Sequence, residues 1–287
     1  MNKNYELYLG DCLEVMKEIP SKSIDMILCD LPYGTTQNKW DAIIPMNDYI
    51  NINDKNIEKD EFYLQQFIKG LSKKEIDKVW KENKQEGLWS HYNRIVKDNG
   101  AIVLNSQGMF TAYLVNSNKK MWRYNLVWDK VLPSGFLNAK KQPMRNHEDI
   151  CVFYKKQPIY NPQMWEGNEC HSKGSKILGI SQKDFSRNTN YGDFKAVETK
   201  GNLKYPKSIL TFQKPHPSKT LHPTQKSIEC CEWLIKTYTN EGDLVLDNCM
   251  GSGSTGVACI NTNRKFIGIE LDEKYFNIAK DRIESII

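Results

Sequence analysis

The chain has 287 residues, 39% hydrophobic and 26% charged, with a formal net charge of +5. This is long enough to bury a large core, and the composition excludes a disordered chain. No apolar run reaches membrane-spanning length and the start MNKNYELYLGD lacks the apolar core of a signal peptide, so the expected compartment is the cytoplasm.

In chain order, LYLGDCLEVMKEI predicts a helix capped by Asp11, and SIDMILCD a buried strand that ends in Asp30. Residues 47–86 form a Lys-, Glu- and Asn-rich insertion of nearly balanced sign that reads as helical. Phe62, Phe67 and Trp80 there are expected to form an apolar face for DNA or dimer contact. GAIVLNS, YNLVWDK and HEDICVFYK follow as strands, the runs being nearly continuous in apolar residues, as in buried parallel sheets. Residues 156–219 are rich in Gly, Asn, Ser and Pro and read as irregular. The last segment returns to the earlier rhythm: helix SIECCEWLIKTY, strand DLVLDNC, strand KFIGIEL and helix DEKYFNIAKDRIESI. Strands alternating with helices predict a doubly wound α/β sheet.

Eight cysteines, at 12, 29, 151, 170, 230, 231, 249 and 259, include no Cys-x-x-Cys pair and predict reduced thiols with neither disulfide nor zinc. His147-Glu148 lacks a second His at metal-site spacing and reads as an ordinary strand start.

GDLVLDNCMGSGSTGVACI is a strand, Asp247, a glycine turn and a helix. Such a turn brings backbone close to a ligand at the carboxyl end of a strand. The absence of Gly-Lys-Ser/Thr excludes a P-loop triphosphatase, whereas GSGSTG fits a dinucleotide turn. Two acids narrow the choice. Asp247 is placed to bind an ammonium, and Glu270, ending the next strand, to bind two ribose hydroxyls; an ammonium and a ribose together describe S-adenosylmethionine. Asp272 already serves as the cap of the following helix, which leaves Glu270 available.

CDLPYG, after the first strand, is explained only in part as a turn: Pro32 and Gly34 suit one, but Asp30 and Tyr33 remain. The exocyclic amino groups of adenine and cytosine are poor nucleophiles because the nitrogen lone pair is delocalised into the ring. Two acceptors on the N–H groups draw that nitrogen toward tetrahedral geometry: the Asp30 carboxylate and the Leu31 carbonyl, held extended by Pro32. Tyr33 offers a flat face to a base rotated out of its helix.

With these residues in view, the sequence resembles the amino-methylating DNA methyltransferases of the permuted, beta group. DLPY resembles the family's Asp-Pro-Pro-Tyr motif, LDNCMGSGSTG its cofactor loop, LHPTQKSIECCEWLI its His-Pro-Thr-Gln-Lys-Pro element, LYLGDCLEVM its N-terminal Gly-Asp element, and NHEDICVFYKK the strand before its target-recognition region. The resemblance implies a circularly permuted, Rossmann-like class I methyltransferase sheet with a grafted target-recognition region. The implied divisions are a catalytic half at 1–155, a target-recognition region at 156–219 and a cofactor half at 220–287. It implies catalytic roles for Asp30, Leu31, Pro32 and Tyr33. The implied S-adenosylmethionine contacts are Asp11, Cys12, Asp30, His222, Thr224, Gln225, Lys226, Asp247, Cys249, Gly251, Gly253, Ser254, Glu270 and Leu271. Leu31 stands where the family has its first proline and keeps the carbonyl; Cys249 replaces a Phe and removes an aromatic contact; Ser227 replaces a proline.

Asp at the head of the motif is typical of adenine N6 methylation in the family, with cytosine N4 as the alternative. A protein-glutamine or RNA methyltransferase would carry Asn first and the opposite motif order, and a decayed, DNA-binding scaffold is the non-enzymatic alternative. Double-stranded DNA is the implied partner, with a homodimer and a cognate restriction endonuclease as further ones.

Charge agrees with that partner. Residues 155–226 hold 13 Lys or Arg against 5 Asp or Glu, a balance of +8, leaving 27 against 30, or −3, for the rest. Localised positive charge is the footprint of phosphate contacts, for which Lys173, Lys176, Lys183, Arg187, Lys204 and Lys207 are candidates. Gln182, Asn188 and Asn190 are candidates for reading base edges. Trp128, Phe136 and Asn138 are expected at the flipped-base pocket, with core packing an equal expectation for Trp128.

Overall fold

The computed structural model describes residues 4–36, 41–52, 55–169, 201–216, 218 and 220–287. These fall into two compact units, Pro162–Lys207 and the remainder of the chain.

The larger unit is built on an eight-stranded sheet in the order β1-β12-β11-β2-β5-β7-β6-β10. Its members are β1 (Tyr5–Leu9), β2 (Ile24–Cys29), β5 (Val96–Ser106), β6 (Trp122–Ser134), β7 (Arg145–Phe153), β10 (Ile209–Thr211), β11 (Leu244–Asp247) and β12 (Lys265–Glu270). Pairing is parallel throughout except at β7, which runs antiparallel to both β5 and β6. The apolar run of β7 reads like a parallel strand because both of its faces are covered, and burial on two faces leaves the same signature whichever way the strand points.

Side chains alternate between two cores, as the period of two demands. Ile27 and Cys29 of β2, Ile102 and Leu104 of β5, and Cys151 and Phe153 of β7 face one core. That core is covered by α1 (Cys12–Glu18), α4 (Leu88–Ile95) and α5 (Met109–Ser117). Met26 and Leu28, Ala101 and Val103, and Ile150 and Val152 face the other. It is covered by α6 (Ile228–Tyr238), α7 (Ser254–Asn261) and α8 (Glu273–Glu284). The result is a three-layer, doubly wound sheet. β2 and β11 lie side by side although far apart in sequence, with Met26 opposite Val245 and Ile27 opposite Leu246, so Asp30 and Asp247 leave the same end of neighbouring strands.

The insertion differs from the all-helical expectation. It opens with a hairpin, β3 (Tyr49–Ile52) and β4 (Lys55–Glu58), before α2 (Lys59–Ile68) and α3 (Lys73–Asn83). Ile50 pairs with Ile57 on the inner face of the hairpin, and both join Phe62, Ile76 and Trp80 in a separate small core. Phe62 and Trp80 are therefore interior residues, while Phe67 alone of the expected face is exposed. The smaller unit contains a two-stranded pair, β8 (Trp165–Glu166) with β9 (Leu203–Lys204).

Gly253 shows how tightly the glycine turn is seated. Its φ is +77°, and a Cβ there would lie 2.9 Å from Cβ and 3.1 Å from Cα of Ala279 in α8. Gly242, with φ +83°, has nothing within 4 Å of the same position. In urea denaturation Gly242→Ala is expected to show only the dihedral penalty, roughly 1–2 kcal/mol, and Gly253→Ala a further 1–3 kcal/mol or so from overpacking.

Candidate active site

The carboxyl ends of β1, β2, β11 and β12 open into a cleft of about 570 Å³. This is where ligands enter open α/β sheets. Among its walls are Asp11, Cys12, Asp30, Leu31, Pro32, Tyr33, His222, Thr224, Gln225, Lys226, Asp247, Cys249, Gly251, Ser254, Glu270 and Leu271. Residues drawn from both ends of the sequence thus share one cavity. Gly253 lies behind the wall as the N-cap of α7.

Glu270 ends β12 with its carboxylate held by backbone: Oε2 accepts from Gly251 N at 2.8 Å and Oε1 from Asp272 N at 2.9 Å. Asp272, not Glu270, caps α8 by accepting from the N–H groups of Lys274 and Tyr275. Asp247 is buried and accepts from Cys249 N at 3.1 Å. Burial pushes its carboxyl up to about 7, against hydrogen bonds from Thr255 and Cys249. Next to it the Ser254 hydroxyl is buried with no hydrogen-bond partner among the described residues. A half-neutral carboxyl and an orphaned hydroxyl at a glycine turn suit a ligand carrying an ammonium and further polar groups.

The opposite end of that wall is less polar. Asp11 caps α1 through Leu13 N at 2.7 Å. The Cys249 thiol lies between those of Cys12 and Cys29, and burial raises Cys29 to about 12. The three stay protonated, and Cys12 and Cys249 present a soft, nearly apolar surface to the cleft while Cys29 is fully buried. His222 packs edge-on against Tyr275 with centroids 4.2 Å apart, and its Nδ1 accepts from Thr224 N at 3.2 Å. Burial, with help from the Lys226 cation, pulls this imidazole down to about 4, so it is neutral at pH 7. Gln225 Oε1 accepts from Leu221 N at 2.9 Å, which ties the segment before α6.

Lys226 contacts two carboxylates. Its Nζ is 3.0 Å from Asp30 Oδ1 and 2.6 Å from Glu148 Oε2; Lys130 Nζ in turn lies 3.0 Å from Glu148 Oε1. The order Lys130, Glu148, Lys226, Asp30 is a largely buried chain of alternating charge. Burial opposes ionisation of Glu148, yet the two ammoniums outweigh it and hold the carboxyl down at about 2. Lys226 is raised above its ordinary range in the same way, burial being outweighed by the two carboxylates. Asp30 is raised, because burial exceeds the pull of Lys226.

Tyr33 donates its hydroxyl to Asp30 Oδ1 at 2.7 Å and rests its ring on Phe110, centroids 4.8 Å apart. Its loop is fixed from below by Asp41, whose carboxylate accepts from the N–H groups of Tyr33, Gly34, Thr35 and Thr36 at 2.6–2.9 Å. Burial raises the Asp41 carboxyl, but these hydrogen bonds outweigh that and leave it below its usual value.

Three outcomes differ from sequence expectation. Glu148, read as an ordinary strand start, stands in the cleft; its signal was a carboxylate within an apolar strand, which demands a partner. Lys130 and Asp41 carried no motif at all. Trp128 lines the cleft and is also buried, with Nε1 donating to Phe212 O at 2.7 Å. Phe136 and Asn138 are not among the lining residues: they lie on a short 3-10 turn at the exposed tip joining β6 to β7. In the smaller unit Lys204 is half-buried, and Lys207 is exposed with Nζ 5.0 Å from the Trp165 ring centroid. Lys173, Lys176, Lys183, Arg187, Gln182, Asn188 and Asn190 lie outside the described residues. The seven described cysteines are free thiols. Among the described residues no group of three or more His, Cys, Asp or Glu is arranged to hold a metal, and no helix is long and apolar enough to cross a membrane.

A family model described as DNA methylase matches residues 24–281. The chain is 28% identical to the Type II methyltransferase M.BglII of Bacillus subtilis over 96% of this chain and 67% of that one. Its fold is similar to the M1.HpyAVI–SAM complex, with TM-score 0.56 and 22% identity over 97% and 98% of the two chains. It is also similar to PvuII DNA methyltransferase (cytosine-N4-specific), with TM-score 0.59 and 16% identity over 98% and 86%. With the family model spanning most of its length, the chain belongs to the amino-methylating N6/N4 family of DNA methylases.

Proposed function

We propose that the chain is a cytoplasmic, site-specific methyltransferase that methylates the N6 amino group of an adenine rotated out of duplex DNA. The observation that carries the reading is Asp30: a half-buried carboxylate at the end of β2 in one cleft with Glu270, Asp247 and a Ser254 hydroxyl that has no partner among the described residues. S-adenosylmethionine, when bound, supplies an electrophilic methyl group on a sulfonium.

The chain's own residues supply position and charge. Glu270, with both oxygens already oriented by backbone N–H groups, would hold the ribose hydroxyls, and Asp247 and Ser254 the amino acid end. Asp11, Cys12, Cys249, His222, Thr224, Gln225 and Leu271 enclose the rest. Tyr33 and Lys226 both approach Oδ1 of Asp30, and Oδ2 accepts a hydrogen bond from one N–H of the target amino group. The Leu31 carbonyl accepts a hydrogen bond from its second N–H, Pro32 keeping that residue extended. The Tyr33 face stacks on the extruded base, its loop preorganised by Asp41. Methyl transfer would form the N–C bond as the methyl's bond to the sulfonium sulfur breaks to leave a thioether; Asp30 would stabilise the positive charge developing on the nitrogen and take the one proton it then sheds. Lys173, Lys176, Lys183, Arg187, Lys204 and Lys207 contact phosphates, residues 156–219 forming the target-recognition region.

Incubation with duplex DNA and isotope-labelled S-adenosylmethionine, followed by digestion to nucleosides, is expected to place label in N6-methyladenine. Label in N4-methylcytosine would overturn the base, and none in DNA would overturn the substrate. Asp30→Ala is expected to lower transfer by about 10²–10³-fold, as for loss of one preorganised polar group, with S-adenosylmethionine affinity nearly unchanged. Retained turnover would sink its role.

The Asp247 carboxyl, at about 7, also sets a pH dependence. Its ionised form attracts the cofactor ammonium, so protonation as pH falls opposes binding. Titration calorimetry between pH 7 and 5.5 is expected to show affinity weakening toward tenfold per pH unit or so. Asp247→Asn should bind weakly with a flat profile, and a flat wild-type profile would count against the assignment.

A further inference from the structure

The β6–β7 tip is built unlike the rest of the sheet edge. Phe136 and Leu137 stand side by side at 81% and 94% exposure, an apolar pair for which the larger unit offers no cover. From Lys130 to Arg145 the sequence holds four cations, Lys130, Lys140, Lys141 and Arg145, and no acid. Lys140 and Lys141 are exposed immediately beyond the pair. An apolar tip followed by two exposed cations is complementary to a stack of bases beside phosphates.

The tip is also aimed. The pairing of β6 with β7 shifts register between Asp129 and Ser134. Within that bulge Val131 has φ +63°, a conformation a β-branched residue rarely adopts. Its N–H is held by Asp129 Oδ1 at 3.0 Å. Bulges re-aim the strand beyond them, and strain of this kind persists where surrounding structure enforces it. Ser134, in the cleft wall, closes the hairpin by donating to Arg145 O at 3.1 Å. The apolar pair thus begins two residues beyond a cleft-lining side chain.

We infer that Phe136 and Leu137 form a wedge that enters duplex DNA where the target nucleotide leaves the stack, with Lys140 and Lys141 on the flanking phosphates. This rests on the proposed action on a flipped base. Filling the gap offsets the loss of stacking and holds the extruded nucleotide in the cleft.

The test compares wild type with Phe136→Ala/Leu137→Ala on duplexes containing a sequence that the wild type methylates. One duplex is fully paired, and in the other an abasic site lies opposite the target. Because both side chains are exposed, folding and S-adenosylmethionine affinity are expected to be unchanged. The double variant should lose about tenfold or more on the paired duplex and recover most of it on the abasic one, where extrusion needs less assistance. Lys140→Ala/Lys141→Ala should instead weaken binding to both duplexes and flatten the salt dependence. Equal loss on both duplexes by the Phe136/Leu137 variant, or none on either, would overturn the wedge alone. A wild-type protein that labels no DNA would overturn the function beneath it.

Discussion

The chain of charge from Lys130 through Glu148 and Lys226 to Asp30 is the constraint on which the cleft depends. Two carboxylates this close, with little water around them, would not both remain ionised unless a cation stood between them. Lys226 stands there, and Lys130 balances the far side of Glu148. Burying four charges is not an efficient source of stability, since desolvation opposes what the pairing gains. Its effect is specific: it joins β2, β6, β7 and the segment before α6 at one point, and fixes the ionic surroundings of Asp30.

Around that point, backbone does most of the positioning. Asp41 gathers four N–H groups of the loop after β2, and Glu270 holds two others across the turn after β11 and the start of α8. Such acceptors orient the polypeptide before any ligand arrives, so little reorganisation is left for the moment of reaction. The turn itself requires glycine, because the body of α8 at Ala279 passes too close for a Cβ at 253.

Polarity is divided within the same cleft. The Asp247 and Glu270 end is rich in oriented acceptors, whereas the Cys12 and Cys249 thiols and the neutral His222 give a softer wall. The insertion takes little part in this chemistry: Phe62 and Trp80 are consumed by its own core, and Tyr49 and Asn56 are its contributions to the cleft.

Much of this was legible in the residues themselves. Strand runs with period-two burial, the capped helices, the Gly251–Gly253 turn and the acids ending β2, β11 and β12 are local features, governed by sterics and hydrogen bonding within a few residues. Other features depended on approach between distant segments. A Lys is written alike whether it meets solvent, a cofactor or a carboxylate, so Lys226 could be placed near the site but not paired with Glu148, 78 positions away. The direction of β7 was hidden for a related reason, since burial on both faces erases the pattern that separates parallel from antiparallel. The exposure of Phe136 was hidden because hydrophobicity indicates a preference for burial and not whether the fold provides it. The sequence by itself determined the elements, the glycine turn and the acids at the strand ends; tertiary structure decided which charges meet and which apolar side chains stay outside, because both depend on contacts between segments that the chain order separates.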